Sequence, residues 1–163
     1  MNVASEFGNP IYVYDSEKIT SQYQRLTTAF SKIGNLRINY ATKALSNISI
    51  LKLMRQMGSG LDTVSIQEVQ LGLAAGFEPQ AIIYTPNGVS LNEIEAVAKL
   101  GVQINIDNLS LLEQFGTRHP KTPVCIRINP HVMAGGNSNI SVGHTNSKFG
   151  ISIHQIPHLL RIV

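Results

Sequence analysis

The hydrophobic residues of this chain follow two alternating patterns, one with the period of a helix and one typical of a buried strand. Near the start, the β-branched and aromatic run Ile11–Tyr14 predicts a strand. Asp15-Ser16 then provides a helix N-cap. The helix that follows has an apolar face made of Ile19, Tyr23, Leu26 and Phe30.

After this helix the alternation becomes regular. Further apolar runs predict five strands: Leu36–Ile38, Leu61–Val64, Ala81–Tyr84, Val102–Ile106 and Pro123–Ile128. Helical segments lie between these runs and open on residues suited to cap them: Asn47, Ser65, Ser90 and Asn108. Ser65 with Glu68, and Ser90 with Glu93, also predict capping boxes. This βα alternation predicts a parallel sheet covered by helices, which fits a doubly wound sheet and a barrel equally well.

Residues 129–147 interrupt the rhythm with a long stretch rich in Gly, Asn and Ser, as in functional loops. A helix is predicted from Ser152 to Val163. Because no strand follows this last helix, we expect the chain to be a truncated form of a longer protein.

Composition narrows the class of protein. The chain has 163 residues, of which 43% are hydrophobic and 14% charged, as expected for one globular domain. Its net charge of +3 comes from scattered Lys and Arg residues, so no nucleic-acid surface is predicted. Cys125 is the only cysteine, which fits a reducing compartment. No signal peptide or membrane span is recognisable, and we expect a cytoplasmic protein.

Candidate chemistry lies where strands end. Lys43 follows the first of the five strands, and its amine can form a Schiff base with an aldehyde cofactor. Asp62 and Glu68 flank the end of the next strand, where a carboxylate would favour the charged form of a nearby imine. The plainer interpretations are a surface lysine and a Glu68 that only closes the capping box.

Four motifs occur in a fixed order: Tyr40–Ala44, Gly60–Ser65 with Glu68, Arg127–Pro130 and Ser147–Ile151. Together they closely resemble the pyridoxal-phosphate (PLP) decarboxylases of alanine-racemase-like fold, and within that group the diaminopimelate decarboxylases. In one departure, Asn137–Ile140 stands where relatives commonly carry a Thr-His pair.

The resemblance implies an α/β fold, a partial (β/α)8 TIM-like barrel comprising roughly its first half. Residues 1–35 would hold a lead-in strand and the first helix, and residues 36–163 the PLP-binding barrel portion. The lead-in strand Ile11–Tyr14 would belong to a C-terminal β domain that is missing from the chain.

The resemblance also implies the site. Lys43 would bind PLP covalently, and Asp62, Glu68 and Arg127 would complete the cofactor-binding set. The reaction would be decarboxylation of meso-diaminopimelate to L-lysine, the last step of lysine biosynthesis, in a homodimer of the full-length protein. Groups that grip the cofactor phosphate would lie downstream, so we expect these 163 residues alone to be inactive. No metal site is expected, because the five histidines show no ligand spacing.

Alternatives remain open at this point. The same fold carries ornithine, arginine and carboxynorspermidine decarboxylases and amino-acid racemases. A non-catalytic PLP-binding barrel is less compatible with the lead-in strand Ile11–Tyr14, which needs a β domain to pair with. A parallel α/β domain without any cofactor is the third possibility.

Overall fold

The computed structural model describes residues 3–132, 143 and 147–163. The chain divides into two compact units, Met1–Ile38 and Asn39–Val163. Most of the predicted loop at 129–147, including the Asn137–Ile140 departure, lies outside the described residues.

The first unit contains two helices, α1 (Val3–Phe7) and α2 (Ser16–Ala29). Asp15 caps α2 as predicted, because its carboxylate accepts a hydrogen bond from the backbone N–H of Lys18 at 3.1 Å. The residues predicted as a strand, Ile11–Tyr14, form no β-ladder among the described residues. A strand needs a neighbouring backbone to complete its hydrogen bonds, and the described residues offer none here. That this segment pairs with a separate β domain stays a prediction.

The second unit carries the alternation. Its elements are β1 (Asn39–Ala41), α3 (Ile48–Gln56), β2 (Gly60–Thr63), α4 (Ile66–Ala74), β3 (Ile82–Tyr84), α5 (Leu91–Ala98), β4 (Gln103–Ile106), α6 (Leu109–Arg118), β5 (Val124–Ile126), β6 (Ile128–Asn129), β7 (Ile151–Ser152) and α7 (Ile156–Ile162). Short 3-10 turns occupy Thr42–Ala44, Pro79–Ala81 and Ile153–Gln155. The predicted N-caps are confirmed by hydrogen bonds from the first turn of each helix to Asn47, Ser65, Ser90 and Asn108.

The topology decides between the two sheet types. Strands β1 to β5 form one parallel sheet in chain order, with Leu61 beside Ile82 and Ile104 beside Val124. Consecutive helices from α3 to α7 contact each other, so they form one layer. A doubly wound sheet reverses its strand order and carries helices on both faces. The sequential order and single helix layer are those of a β/α barrel wall.

Strand positions differ from the sequence prediction at both ends of the sheet. The first strand begins at Asn39 rather than Leu36, because pairing of Asn39 with Gly60 sets the register. The last predicted strand is interrupted at Arg127, whose N–H bonds to Ile106 while its carbonyl accepts from Ile151. Strand β7 was not predicted, and it pairs in parallel with β6. Its two residues are too short to show a period in sequence.

Successive side chains along each strand alternate between a buried core face and a second face of the sheet. Buried side chains from the sheet pack against the helices, and the members of this core that are at most 1% exposed include Leu61, Ile82, Tyr84, Ile104, Ile106, Leu51, Val69, Ile94, Val97 and Phe115. Asp62, Asn105 and Cys125 occupy intervening positions and are partly or fully exposed. The polar face of the sheet therefore lies away from the helix layer.

Candidate active site

A cavity of about 710 Å³ lies at the carboxyl ends of the strands. Its lining comprises Lys43, Asp62, Val64, Thr85, Asn87, Asn105, Cys125, Ile126, Arg127, Lys148 and Phe149. A second cavity, of about 430 Å³, lies at the amino ends of β4 and β5, and the described residues that line it are uncharged. Of these two cavities, only the one at the carboxyl edge is lined by charged side chains in the described part of the chain. Barrel proteins have their active sites at this edge.

Lys43 reaches this edge because β1 ends in a tight turn. The N–H of Leu45 bonds to the carbonyl of Thr42 at 3.1 Å, closing a 3-10 turn around the lysine. The hydroxyl of Tyr40 donates to the carbonyl of Leu45 at 3.1 Å and holds the end of the turn. Lys43 itself is exposed, so its amine is accessible from the cavity.

Asp62 projects from β2 between two residues that face the core, Leu61 and Thr63. Its Oδ1 accepts a hydrogen bond from the hydroxyl of Thr85 at 2.8 Å. The amide of Asn105 donates in turn to the hydroxyl oxygen of Thr85 at 3.0 Å. Asp62 and Lys43 therefore line one cavity, Asp62 from β2 and Lys43 from the turn after β1.

Glu68 has a different position. Ser65 Oγ accepts from the N–H of Glu68 at 3.3 Å, which is the predicted first half of a capping box. The Glu68 carboxylate returns to the N–H of Val64 at 2.8 Å, one residue before the N-cap. Glu68 is not among the cavity-lining residues. The structure thus gives Glu68 a role in the β2–α4 turn, and its contact with a cofactor stays a prediction.

Arg127 lies over an aromatic ring at the far side of the cavity. Its guanidinium carbon is 4.6 Å from the ring centre of Phe149, and Lys148 Nζ is 5.3 Å from the same centre. Both distances are typical of cation–π contacts. Gly150 allows this arrangement, since it has a φ of +81° and packs against the backbone of Arg127 to Asn129.

The segment that carries Phe149 is also tied to the neighbouring strand ends. The amide of Asn87 donates to Asp107 Oδ2 at 2.7 Å and to the carbonyl of Lys148 at 3.4 Å. Asp107 is only 8% exposed and accepts a second bond from Asn108. These contacts connect the loops after β3 and β4 to the segment before β7.

Several residues of the site were missed by sequence reasoning. Thr85, Asn87 and Asn105 were given no role, although each stands at or near a strand end. The available signal was a polar residue inside an apolar strand, as in Asn105 between Ile104 and Ile106. Ser147–Ile151 was singled out as a motif, but its contact with Arg127 depends on the fold.

The charges suit an anionic, carbonyl-bearing ligand. Among the described lining residues, Lys43, Arg127 and Lys148 provide three cationic side chains and Asp62 the single carboxylate. An accessible amine can condense with an aldehyde, and the other two cations can attract a phosphate or carboxylate. The chemistry of this donor set therefore fits pyridoxal phosphate.

The fold and the site together define a class of protein. The strands follow chain order as in a β/α barrel, and a lysine at their carboxyl edge can bind an aldehyde cofactor through its amine. Comparison with known proteins gives the family. The sequence profile described as "Pyridoxal-dependent decarboxylase, pyridoxal binding domain" matches residues 16–163, and the chain belongs to this family.

Similar proteins and structures agree. The chain is 35% identical to the diaminopimelate decarboxylase of Methanothermobacter thermautotrophicus, covering 99% of this chain and 38% of that protein. It is 38% identical to that of Helicobacter pylori over 89% of this chain and 37% of the relative. The structure of "diaminopimelate decarboxylase from Helicobacter pylori complexed with L-lysine" matches with a TM-score of 0.85 and 33% identity, covering 99% of this chain and 42% of that one. The partial barrel predicted from sequence is thus confirmed.

The chain spans less than half the length of these relatives. Among the described residues, no helix is both long enough and apolar enough to cross a bilayer.

Proposed function

We propose that this protein, in its full-length form, is a PLP-dependent decarboxylase that converts meso-diaminopimelate to L-lysine. The observation that carries the proposal is the shared cavity of Lys43, Asp62 and Arg127 at the carboxyl edge of the sheet. Relatives between 32% and 38% identical to the chain are named diaminopimelate decarboxylases, which supports this substrate over ornithine or arginine.

The side chains have separable roles in this proposal. Lys43 Nζ is a nucleophile when neutral and a proton donor when charged, so one atom can hold the cofactor and move a proton. Asp62 favours a positive charge on the group bound at Lys43. Arg127 and Lys148 attract anionic groups of cofactor or substrate. When bound, pyridoxal phosphate supplies the electron sink for the electron pair left by CO2.

Glu68 remains in the proposed cofactor-binding set through the family resemblance. Its hydrogen bond to the N–H of Val64 is compatible with this, because one carboxylate oxygen suffices for that bond. The resemblance also implies that further residues of the full-length protein hold the cofactor phosphate.

Covalent labelling tests the central assignment. Purified protein is incubated with pyridoxal phosphate, reduced with borohydride and digested for mass spectrometry. We expect the pyridoxyl group on Lys43, and we expect Lys43→Arg to abolish it at this site. Lys52 is a matched control, since it is an exposed lysine on α3 outside the cavity. A label concentrated on Lys52 or Lys148 would refute the assignment.

Substrate choice is tested separately on the full-length protein. We expect CO2 release from meso-diaminopimelate and little from ornithine or arginine at equal concentration. Faster release from either of the latter would replace the proposed substrate while leaving Lys43 as the cofactor lysine.

Assembly and location are also proposed. The resemblance implies a homodimer, which light scattering of the full-length protein would test. A cytoplasmic location is supported by the low cysteine content of these 163 residues, in which Cys125 is the only cysteine.

A further inference from the structure

We propose that Thr85 and Asn105 are positioning residues that orient the Asp62 carboxylate toward the group bound at Lys43. All three line the same cavity from neighbouring elements: Asp62 from β2, Thr85 directly after β3 and Asn105 from β4. The inference rests on the proposed function, because it assigns these residues to the environment of the cofactor lysine.

The direction of the hydrogen bonds follows from chemistry. An ionised carboxylate can only accept, so the single hydroxyl proton of Thr85 goes to Asp62 Oδ1 at 2.8 Å. The hydroxyl oxygen of Thr85 must then act as acceptor toward its other neighbour. Asn105 Nδ2 donates to it at 3.0 Å. The result is a directed chain from amide to hydroxyl to carboxylate across three strands.

The hydrogen-bonded chain from Asn105 to Asp62 lowers the stability of the folded protein at one atom. With its NH2 group turned toward Thr85, Asn105 leaves its Oδ1 buried and without a hydrogen-bond partner in the described part of the protein. A buried acceptor without a partner is unfavourable. The amide keeps this orientation because a flip would place its oxygen against the hydroxyl oxygen of Thr85. Two acceptors would then face each other, since the proton of Thr85 is donated to Asp62.

The consequence for Asp62 is a fixed orientation. A carboxylate held at one oxygen does not rotate freely about its Cβ–Cγ bond. With Oδ1 held by Thr85, Oδ2 is free to meet a cation in the cavity at a lower entropic cost. Preorganised charge of this kind interacts more strongly than a mobile side chain.

The test compares Thr85→Val with Thr85→Ser and with Thr63→Val. Valine keeps the shape of threonine but removes the hydroxyl, whereas serine keeps the hydroxyl. Thr63 is the matched control: it lies on the same sheet, is fully buried, and its hydroxyl donates to the carbonyl of Ile83 at 2.9 Å, away from the cavity. Two properties are measured on protein loaded with pyridoxal phosphate: the cofactor dissociation constant, and the pH midpoint at which its visible absorbance changes.

We expect Thr85→Val to weaken cofactor binding by roughly three- to tenfold, because the freed Asp62 carboxylate must then be ordered when the cofactor binds. It should also lower the pH midpoint part of the way toward that of Asp62→Asn. Thr85→Ser should resemble the wild type, and Asn105→Ala should shift both properties less than Thr85→Val does. Thr63→Val should lower the melting temperature and leave both cofactor properties unchanged.

A double variant separates positioning from general damage. If Thr85 acts through Asp62, adding Thr85→Val to Asp62→Asn changes neither property further. Effects that add in full, or a Thr85→Val protein indistinguishable from Thr63→Val, would overturn the inference. Failure of the proposed function would look different, because wild-type protein would then show no pyridoxyl label on Lys43.

Discussion

Two buried threonines show how differently a hydroxyl can be placed in this protein. Thr42 and Thr63 are both fully buried. Thr63 donates to the carbonyl of Ile83, whereas the hydroxyl of Thr42 has no partner among the described residues. A buried hydroxyl without a partner destabilises the folded state, while one that is paired contributes to stability.

We therefore expect opposite effects from the same substitution at these two positions. Thr42→Val should raise the free energy of unfolding by about 1 kcal/mol, because it removes an unpaired polar group without changing the shape. Thr63→Val should lower it by about 1 kcal/mol. Urea unfolding measures both values. Equal losses from the two variants would contradict the prediction.

Tyr84 couples the stability of the core to alkaline pH. Its hydroxyl donates to Glu93 Oε1 at 2.7 Å, and Glu93 also accepts from the N–H of Ile66. Burial first, and the Glu93 carboxylate second, raise the pKa of Tyr84 well above its ordinary value of 10.0. The Glu93 carboxylate thus bonds to Tyr84 and Ile66 and does not form the second half of the predicted capping box. Only the first half is present, in which the N–H of Glu93 donates to Ser90 Oγ.

The sign of the pH effect follows from this raised pKa. Above about pH 10 an unfolded tyrosine loses its proton, whereas Tyr84 in the folded protein keeps it. Its contribution is therefore complete below pH 10 and is lost as the pH rises further. Tyr84→Phe should lower the free energy of unfolding at pH 7 by about 1–2 kcal/mol. It should also flatten the decline between pH 10 and 11, measured by denaturant titration. If the free energies of unfolding of the wild type and of Tyr84→Phe decline in parallel over this pH range, the prediction is wrong.

At the scale of elements, the contact between β6 and β7 depends on one glycine. A Cβ on Gly150 would lie 2.9 Å from the backbone N of Asn129 and 3.0 Å from the carbonyl carbon of Ile128. Gly150 also has a positive φ of +81°, which side chains disfavour. Gly58, at the end of α3, has a similar φ of +84° but open space around it.

These two glycines allow strain and crowding to be separated. Gly58→Ala should lower the free energy of unfolding by about 1–2 kcal/mol through its backbone alone. Gly150→Ala should cost about 1–3 kcal/mol more, since backbone atoms must also move apart. Chemical denaturation gives both values. If the two variants lose the same stability, the close backbone approach at Gly150 is not as described.

The sequence predicted the correct number of strands for the five-stranded sheet but misplaced the bounds of some of them. The five parallel strands of the sheet were expected, and short apolar runs were sufficient to find them. The first strand was misplaced toward Leu36–Ile38, which alternates in sequence but remains largely exposed at Leu36 and Arg37. The break at Arg127 was missed because it arises from a change of hydrogen-bond partner between Ile106 and Ile151.

At the scale of the whole molecule, the connection between the two units is open to solvent. Residues 31–37 are all exposed and lie between α2 and β1. Limited trypsin digestion should therefore cut first after Lys32 or Arg37, the two basic residues of this segment. Lys52 is equally classed as exposed but belongs to α3, whose backbone hydrogen bonds resist the extended conformation that a protease requires. Early mass-spectrometric products ending at Lys52 would contradict this expectation.

What the sequence determined by itself is local. Asp15, Ser65, Ser90 and Asn108 each accept a hydrogen bond from an N–H three residues later, so nearby residues suffice to define where these helices begin. Tertiary structure decided the strand order, the single helix layer and the composition of the cavity. Asp62 and Thr85 are 23 residues apart, and Thr85 and Asn105 are 20 apart, yet they form one hydrogen-bonded chain. Such contacts depend on which strands pair and in which register, and the period of the hydrophobic residues does not encode either choice.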